Sequence, residues 1–298
     1  METVALTNFA SMIQIAQSCW EMLSLQQQIV SDVALVTVSS RVHARTDAQW
    51  YAYSREFRSY MRSKQLNLDA YGTDKIRMGY LDAYDPILAP WLDKDIKLLE
   101  LGVYKGHSLE LWRDYFPRSM VLGIDLQLPD GFVSGERIKL FRGNQADTQF
   151  LSEVADKTAP DGFDIIIDDA SHIGQLTRTA FWHLFDNHLK QGGLYAIEDW
   201  GTGYLDDFPD GKKFDPKPST LDPFPCHSHG MVGFVKELVD EQGAASIAMG
   251  CKAGWRLSKF QNVVVTPGIV FVTKATRTIT AHSNPSLLEV SRRISEHD

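Results

Sequence analysis

FDIIIDDASH, residues 163–172, is the stretch on which the reading of the fold turns. Three isoleucines run into Asp168 and Asp169, and His172 follows three positions after the second acid. An unbroken β-branched run bounded by polar residues suits a strand covered on both faces, as in a parallel sheet flanked by helices. Polar groups surface at the end of such a strand. In open α/β sheets ligands bind outside the carboxyl ends of the strands, so Asp168, Asp169 and His172 leave the core where chemistry is usually done.

The same pattern repeats on either side. From residue 96 short apolar runs alternate with amphipathic segments: IKLLELG, SLELWRDYF, MVLGIDL, IKLFRG, TQFLSEVAD, FDIIIDD, LTRTAFWHLFDNHL, GGLYAIED and GMVGFVKELVDEQG. Strands alternating with helices imply βαβ units and a parallel sheet. FQNVVVTPGIVFVTK differs, because TPG between two β-branched runs is a tight-turn signal. The predicted fold is therefore α/β, a Rossmann-like doubly wound, mostly parallel sheet closed by a C-terminal antiparallel hairpin. Residues 1–65 read as a helical appendage, glycine-free and with an aromatic-rich second segment, suited to oligomer contacts or a lid. Residues 66–276 read as the α/β domain and 277–298 as a C-terminal tail. The stretch 200–230, rich in Pro, Gly and Asp, is long for a loop in a compact domain, which points to a lid or a disordered segment.

Composition narrows the function classes. A chain of 298 residues, 44% hydrophobic and 23% charged, is long enough for one large domain and an addition to it. A net charge of -8 offers no basic face for a phosphate backbone, so nucleic acid is not an expected partner. Cys19, Cys226 and Cys251 are odd in number and far apart, which argues against a disulfide framework and for a reducing compartment. The N-terminus has no basic leader region, and no apolar run approaches the ~20 residues of a membrane span. A cytoplasmic protein is the expectation. CHSHG, 226–230, has no partner cluster elsewhere and is not read as a zinc site.

The turn after the first strand, LLELGVYKGHSLELW, places Gly102 and Gly106 where a doubly wound sheet holds a nucleotide cofactor. Tyr104 occupies the position at which a dinucleotide fingerprint needs glycine so that the backbone can approach a pyrophosphate. A cofactor built of an amino acid and a nucleoside, without phosphates, does not need that approach. Glu100 could attract a cationic amino group, Asp125 at the end of GIDL could hold ribose hydroxyls, and Gln145 and Asp147 in RGNQAD could meet an adenine edge. The plainer readings are solvated strand ends for Glu100 and Asp125 and a helix cap for Asp147. Farther along, LYAIED delivers Glu198 and Asp199 to the same sheet edge as Asp168 and Asp169. If the two strands are neighbours, about 4.8 Å apart, their acids repel unless a cation or proton lies between them. A hard divalent ion such as Mg²⁺ suits an all-oxygen set. The alternative is a helix cap at Asp168 or Asp169 with Glu198 and Asp199 solvated.

Glu-x-Gly-x-x-x-Gly at 100–106, the acid of GIDL and the strand FDIIIDD resemble the class I S-adenosylmethionine-dependent methyltransferases. More narrowly, YGTDK (71–75), LLELGVYKGHSLELWRDYFP, IDDASH and YAIEDW, in that order over about 70–274, resemble the macrocin and mycinamicin type of sugar O-methyltransferase and the related proteins described as cephalosporin hydroxylases. The resemblance implies S-adenosylmethionine as cofactor, Mg²⁺ on Asp169, Glu198 and Asp199, and a hydroxyl-bearing small molecule, a sugar of a glycoside or a polyketide, as acceptor. Asp168 is then structural or turned to the cofactor. His172, beside the ion, would take the acceptor's proton, because an imidazole titrates near neutrality and a metal lowers the pKa of a bound hydroxyl. Tyr71 and Thr73 lie on a segment able to close over the cofactor; a turn at Gly72 with a helix cap from Thr73 or Asp74 is the alternative. The rival readings are an NAD-dependent oxidoreductase on the same architecture, opposed by Tyr104, and a non-catalytic cofactor-binding protein, opposed by the acids at the sheet edge. A homo-oligomer is expected from the helical start.

Overall fold

The computed structural model of the protein describes residues 61–131, 135–213, 227–244 and 257–277. The appendage expected over 1–65 thus lies outside the described residues except for 61–65, which include one 3-10 turn, Arg62–Gln65. Two short helices open the described chain, α1 (Asp74–Arg77) and α2 (Tyr80–Leu88). There follow β1 (Lys97–Leu101), α3 (His107–Tyr115), β2 (Met120–Asp125), β3 (Ile138–Arg142), α4 (Thr148–Thr158), β4 (Phe163–Asp168), α5 (Gly174–Asn187) and β5 (Leu189–Glu198). After a short 3-10 segment, Trp200–Tyr204, come α6 (Gly230–Gln242), β6 (Phe260–Val265) and β7 (Ile269–Lys274). Among the described residues no helix is long and apolar enough to cross a membrane.

The strands form one sheet in the order β3-β2-β1-β4-β5-β7-β6. β1 to β5 run parallel, and β7 pairs antiparallel with both β5 and β6, so the sheet is the mostly parallel, Rossmann-like one with a C-terminal hairpin that the sequence predicts. The isoleucine run explains why. In β4, Ile165 and Ile167 face a core containing Leu98, Val121, Leu194, Tyr84 and Trp112, while Ile166 faces the opposite core with Leu99, Leu122, Phe181 and Leu184. A central strand with helices on both sides has no solvent face, so alternation with polar residues would bury unpaired groups.

Register brings the strand ends level. Leu101 of β1 stands beside Asp168 of β4, and Asp168 beside Ile197 of β5, so Asp169 and Glu198 emerge at one edge. The hairpin turn contributes to that edge too. Asp199 N donates to the Gly268 carbonyl at 2.8 Å, and a Cβ on Gly268 would lie 2.4 Å from the Tyr80 ring, so only glycine lets that ring pass.

Candidate active site

A cavity of about 950 Å³ opens at the carboxyl edge of β1, β2 and β4. Thr73, Gly102, Asp125, Gln145, Asp169, His172 and Asp199 line it; Tyr71, Glu100, Gly106, Asp147, Asp168 and Glu198 do not. Among the described residues the non-glycine positions with positive φ are Tyr104 at 49°, His172 at 51° and Asp199 at 54°, and all three line this cavity. Side-chain-bearing residues enter that region at a cost, and such strain collects at functional sites.

On the cofactor side, Asp125 Oδ2 accepts from the backbone N–H of Val103 at 2.7 Å and of Tyr104 at 3.0 Å, which fixes the loop after β1. Gly102 has φ 90°, and a Cβ there would lie 2.1 Å from the Asp169 carbonyl oxygen. That glycine therefore serves the approach of two loops as well as the cavity wall. Gln145 bridges the third loop to the fourth: its Nε2 donates to Asp168 Oδ1 at 3.3 Å and its Oε1 accepts from Ser171 N at 3.1 Å. Asp168 is buried, also accepts from the Tyr195 hydroxyl at 3.3 Å, and is pushed up to about 7, chiefly by burial.

Other candidates are engaged by partners of their own. Asp147 caps α4, accepting from Phe150 N at 3.1 Å. The Tyr71 hydroxyl donates to Asp114 at 2.8 Å, and burial foremost pushes that phenol up to about 12. Thr73 caps α1 by accepting from Lys75 N at 3.4 Å. Glu100 is wholly buried, accepting from Ser108 Oγ at 2.8 Å and Trp112 Nε1 at 3.4 Å. Cys226 of CHSHG lies outside the described residues, and His227 N is 3.4 Å from the Tyr204 hydroxyl.

Asp169, His172 and Asp199 converge so that one ligand atom of each lies within 4.8 Å of the others. His172 Nε2 is 3.8 Å from Asp169 Oδ1 and 3.8 Å from Asp199 Oδ2, while its ring meets Phe208 edge-on. Phe208 belongs to a segment fixed by Asp210, whose Oδ2 accepts from Gly174 N at 2.7 Å and Met231 N at 3.0 Å, capping α5 and α6 together. Thus 200–213 is ordered structure beside the site, and 214–226 of the expected loop lies outside the described residues.

Three groups that sequence reasoning did not single out complete the cluster. Lys75 Nζ lies 2.6 Å from Asp169, 2.8 Å from Glu198 and 3.3 Å from Glu100. The Tyr84 hydroxyl donates to Glu198 Oε1 at 2.5 Å, and the Tyr80 hydroxyl donates to Asp199 Oδ1. A spacing of four places both phenols on one face of α2, which is a legible signal; the burial of Lys75 is not. Burial pushes Glu198 up to about 8 and Glu100 upward, Lys75 opposing in both cases. Burial alone would favour neutral Lys75, yet Glu198, Asp169 and Glu100 hold it well above its ordinary range. The lysine pull and the raised Glu198 point opposite ways; we take Lys75 as the charged partner, because three carboxylates around one ammonium leave an excess of negative charge. That excess, with Asp169 and Asp199 facing the cavity, fits a hard divalent cation. Each Glu198 oxygen accepts one hydrogen bond and keeps a second lone pair for an ion.

No family model matches the chain. Mycinamicin VI 2''-O-methyltransferase of Micromonospora griseorubida is 37% identical over 164 residues, 53% of this chain and 38% of that protein. Demethylmacrocin O-methyltransferase of Streptomyces fradiae is 35% identical over 164 residues, again 53% of this chain and 38% of that protein. This chain resembles the sugar O-methyltransferases. The solved structure of the MycE methyltransferase from the mycinamycin biosynthetic pathway, in complex with Mg, SAH and mycinamycin VI, superposes with a TM-score of 0.52 at 30% identity, covering 66% of this chain and 49% of that one. The chain therefore spans 38% of the length of these two curated relatives.

Proposed function

We propose that the chain is an S-adenosylmethionine- and Mg²⁺-dependent O-methyltransferase acting on a sugar hydroxyl of a natural-product glycoside. The convergence of Asp169, His172 and Asp199 at the rim of the cavity carries the reading. The likeness to sugar O-methyltransferases and to a structure holding Mg and SAH supports it.

Asp125, Gly102, Gln145 and the loop they brace would hold the cofactor, and Asp169, Glu198 and Asp199 the ion. When bound, S-adenosylmethionine supplies the electrophilic methyl and the divalent ion lowers the pKa of the acceptor hydroxyl. His172 accepts the hydroxyl proton at Nε2, the atom turned toward Asp169 and Asp199. Phe208 and the strained backbone at His172 fix the ring's aim.

The partner is a small molecule, with no nucleic acid and no membrane involved; a cytoplasmic homo-oligomer is part of the proposal, supported by the cysteine pattern and the glycine-free start. The test is mass spectrometry of candidate glycosides incubated with protein, S-adenosylmethionine and Mg²⁺, expecting gain of one methyl that chelation abolishes. A melting temperature raised by NAD and not by S-adenosylhomocysteine would refute the cofactor assignment.

A further inference from the structure

We propose that Lys75 sets the affinity of the divalent-ion site, keeping the ion weakly held by standing a permanent positive charge against two of its acids. The inference rests on the reading of Asp169, Glu198 and Asp199 as the ion's ligands. The lysine side chain is 1% exposed, and its ammonium lies 2.6 Å from Asp169 Oδ2 and 2.8 Å from Glu198 Oε2. Glu100, 3.3 Å away, and Tyr84, bonded to Glu198, complete the polar groups around it. Asp199 stands outside this contact set, served by Tyr80 and facing His172.

Two cations then share one pair of carboxylates. A divalent ion bound through Asp169 and Glu198 would sit within a few ångströms of the ammonium. Like charges that close, in poorly solvated surroundings, repel strongly. Lys75 therefore subtracts from ion affinity much of what the acids add. Its compensating role is structural: removing the partner of a buried ion pair leaves uncompensated charge, so the lysine keeps the acid ends of β4 and β5 together whether or not an ion is bound. Lys75 also lies on the segment whose Gly72, Thr73, Asp74 and Arg77 line the cavity, so its placement is fixed by the same wall that would enclose the cofactor. The consequence for function is an ion that exchanges readily, with loading that follows the surrounding Mg²⁺ concentration.

The test compares wild type, Lys75→Met and Lys75→Gln for Mn²⁺ binding, read from the electron paramagnetic resonance of the free ion, with S-adenosylhomocysteine present. Removing the charge is expected to tighten Mn²⁺ binding by about tenfold or more in both variants. Unchanged or weaker binding in the variants overturns the proposal. So does a Gln variant that matches wild type while Met differs, because hydrogen bonding rather than charge would then be the lysine's part. Should a variant be unfolded without metal, the dependence of its melting temperature on Mn²⁺ reads the same affinity, since an ion that binds only the folded chain stabilises it. If wild type binds no Mn²⁺ at all, the ion-site reading itself fails, a result distinct from the other two.

Discussion

Tyr80→Phe isolates the support beneath Asp199. The Tyr80 hydroxyl donates to Asp199 Oδ1, leaving Oδ2 to face His172, and the ring is aligned by its passage over Gly268. Phe preserves the ring and its packing and removes only the donor. Asp199 then loses the bond that orients its carboxylate at a left-handed backbone position of φ 54°. Partners of this kind, one bond removed from the ion, contribute about 10- to 100-fold to metal affinity. The structural cost is one partly buried hydrogen bond, about 1 kcal/mol. For a domain of this size that lowers the melting temperature by about 2–4 °C. The expected pattern is a Mg²⁺ requirement raised about 10- to 100-fold with turnover restored within about twofold at saturating ion. Methyl transfer measured across a Mg²⁺ titration, with Mn²⁺ binding in parallel, reads both. An unchanged Mg²⁺ requirement with turnover that excess ion does not restore would refute the reasoning and move Tyr80 into contact with the acceptor.

His172→Ala should lower turnover by about 10²- to 10⁴-fold while S-adenosylhomocysteine and Mn²⁺ still bind; isothermal titration of both ligands checks the second half, and normal turnover would assign the base elsewhere. Asp168 carries a stability prediction with a definite sign. Its carboxyl titrates near 7 in the folded chain, above the ~3.9 of an unfolded aspartate, so the folded state holds the proton more tightly and stability is lost as pH rises through about 7. Asp168→Asn, which can still accept from Gln145, should therefore gain on wild type between pH 5 and pH 8 by at most ~3 kcal/mol, read from urea unfolding at each pH. Parallel curves for the two proteins would rule it out. Asp210→Ala removes the cap shared by α5 and α6 and should cost about 2–4 kcal/mol, roughly twice the loss of a single cap, seen as a melting temperature lowered by about 5–15 °C. A loss below about 1 kcal/mol would mean that solvent replaces the carboxylate at both helix ends.

The amino-acid sequence by itself determined the layered architecture and the edge at which the acids emerge. FDIIID and LYAIE are apolar on both faces, and only a strand between two layers of helix can bury both, so Asp169 and Asp199 leave the core at the carboxyl ends of neighbouring strands, with Glu198 buried just inside that edge. The TPG turn and the glycine-bearing loop after β1 were legible for the same reason, because backbone geometry restricts which residues can stand there. What only the tertiary structure decided is which groups meet those acids. Lys75 reaches Asp169 across 94 positions and Glu198 across 123, Tyr84 reaches Glu198 across 114, and Tyr80 reaches Asp199 across 119. No periodicity encodes such meetings: they depend on β1 lying beside β4, on β4 lying beside β5, and on how α1 and α2 pack over the sheet. The inward turn of Glu100 was illegible likewise, since a strand position fixes the face and not the partner, and Ser108, Trp112 and Lys75 are brought to that face by the packing of two different segments. Local sequence sets where each backbone can go; the balance of charge at the site is set by side chains that only the folded chain brings within a few ångströms of one another.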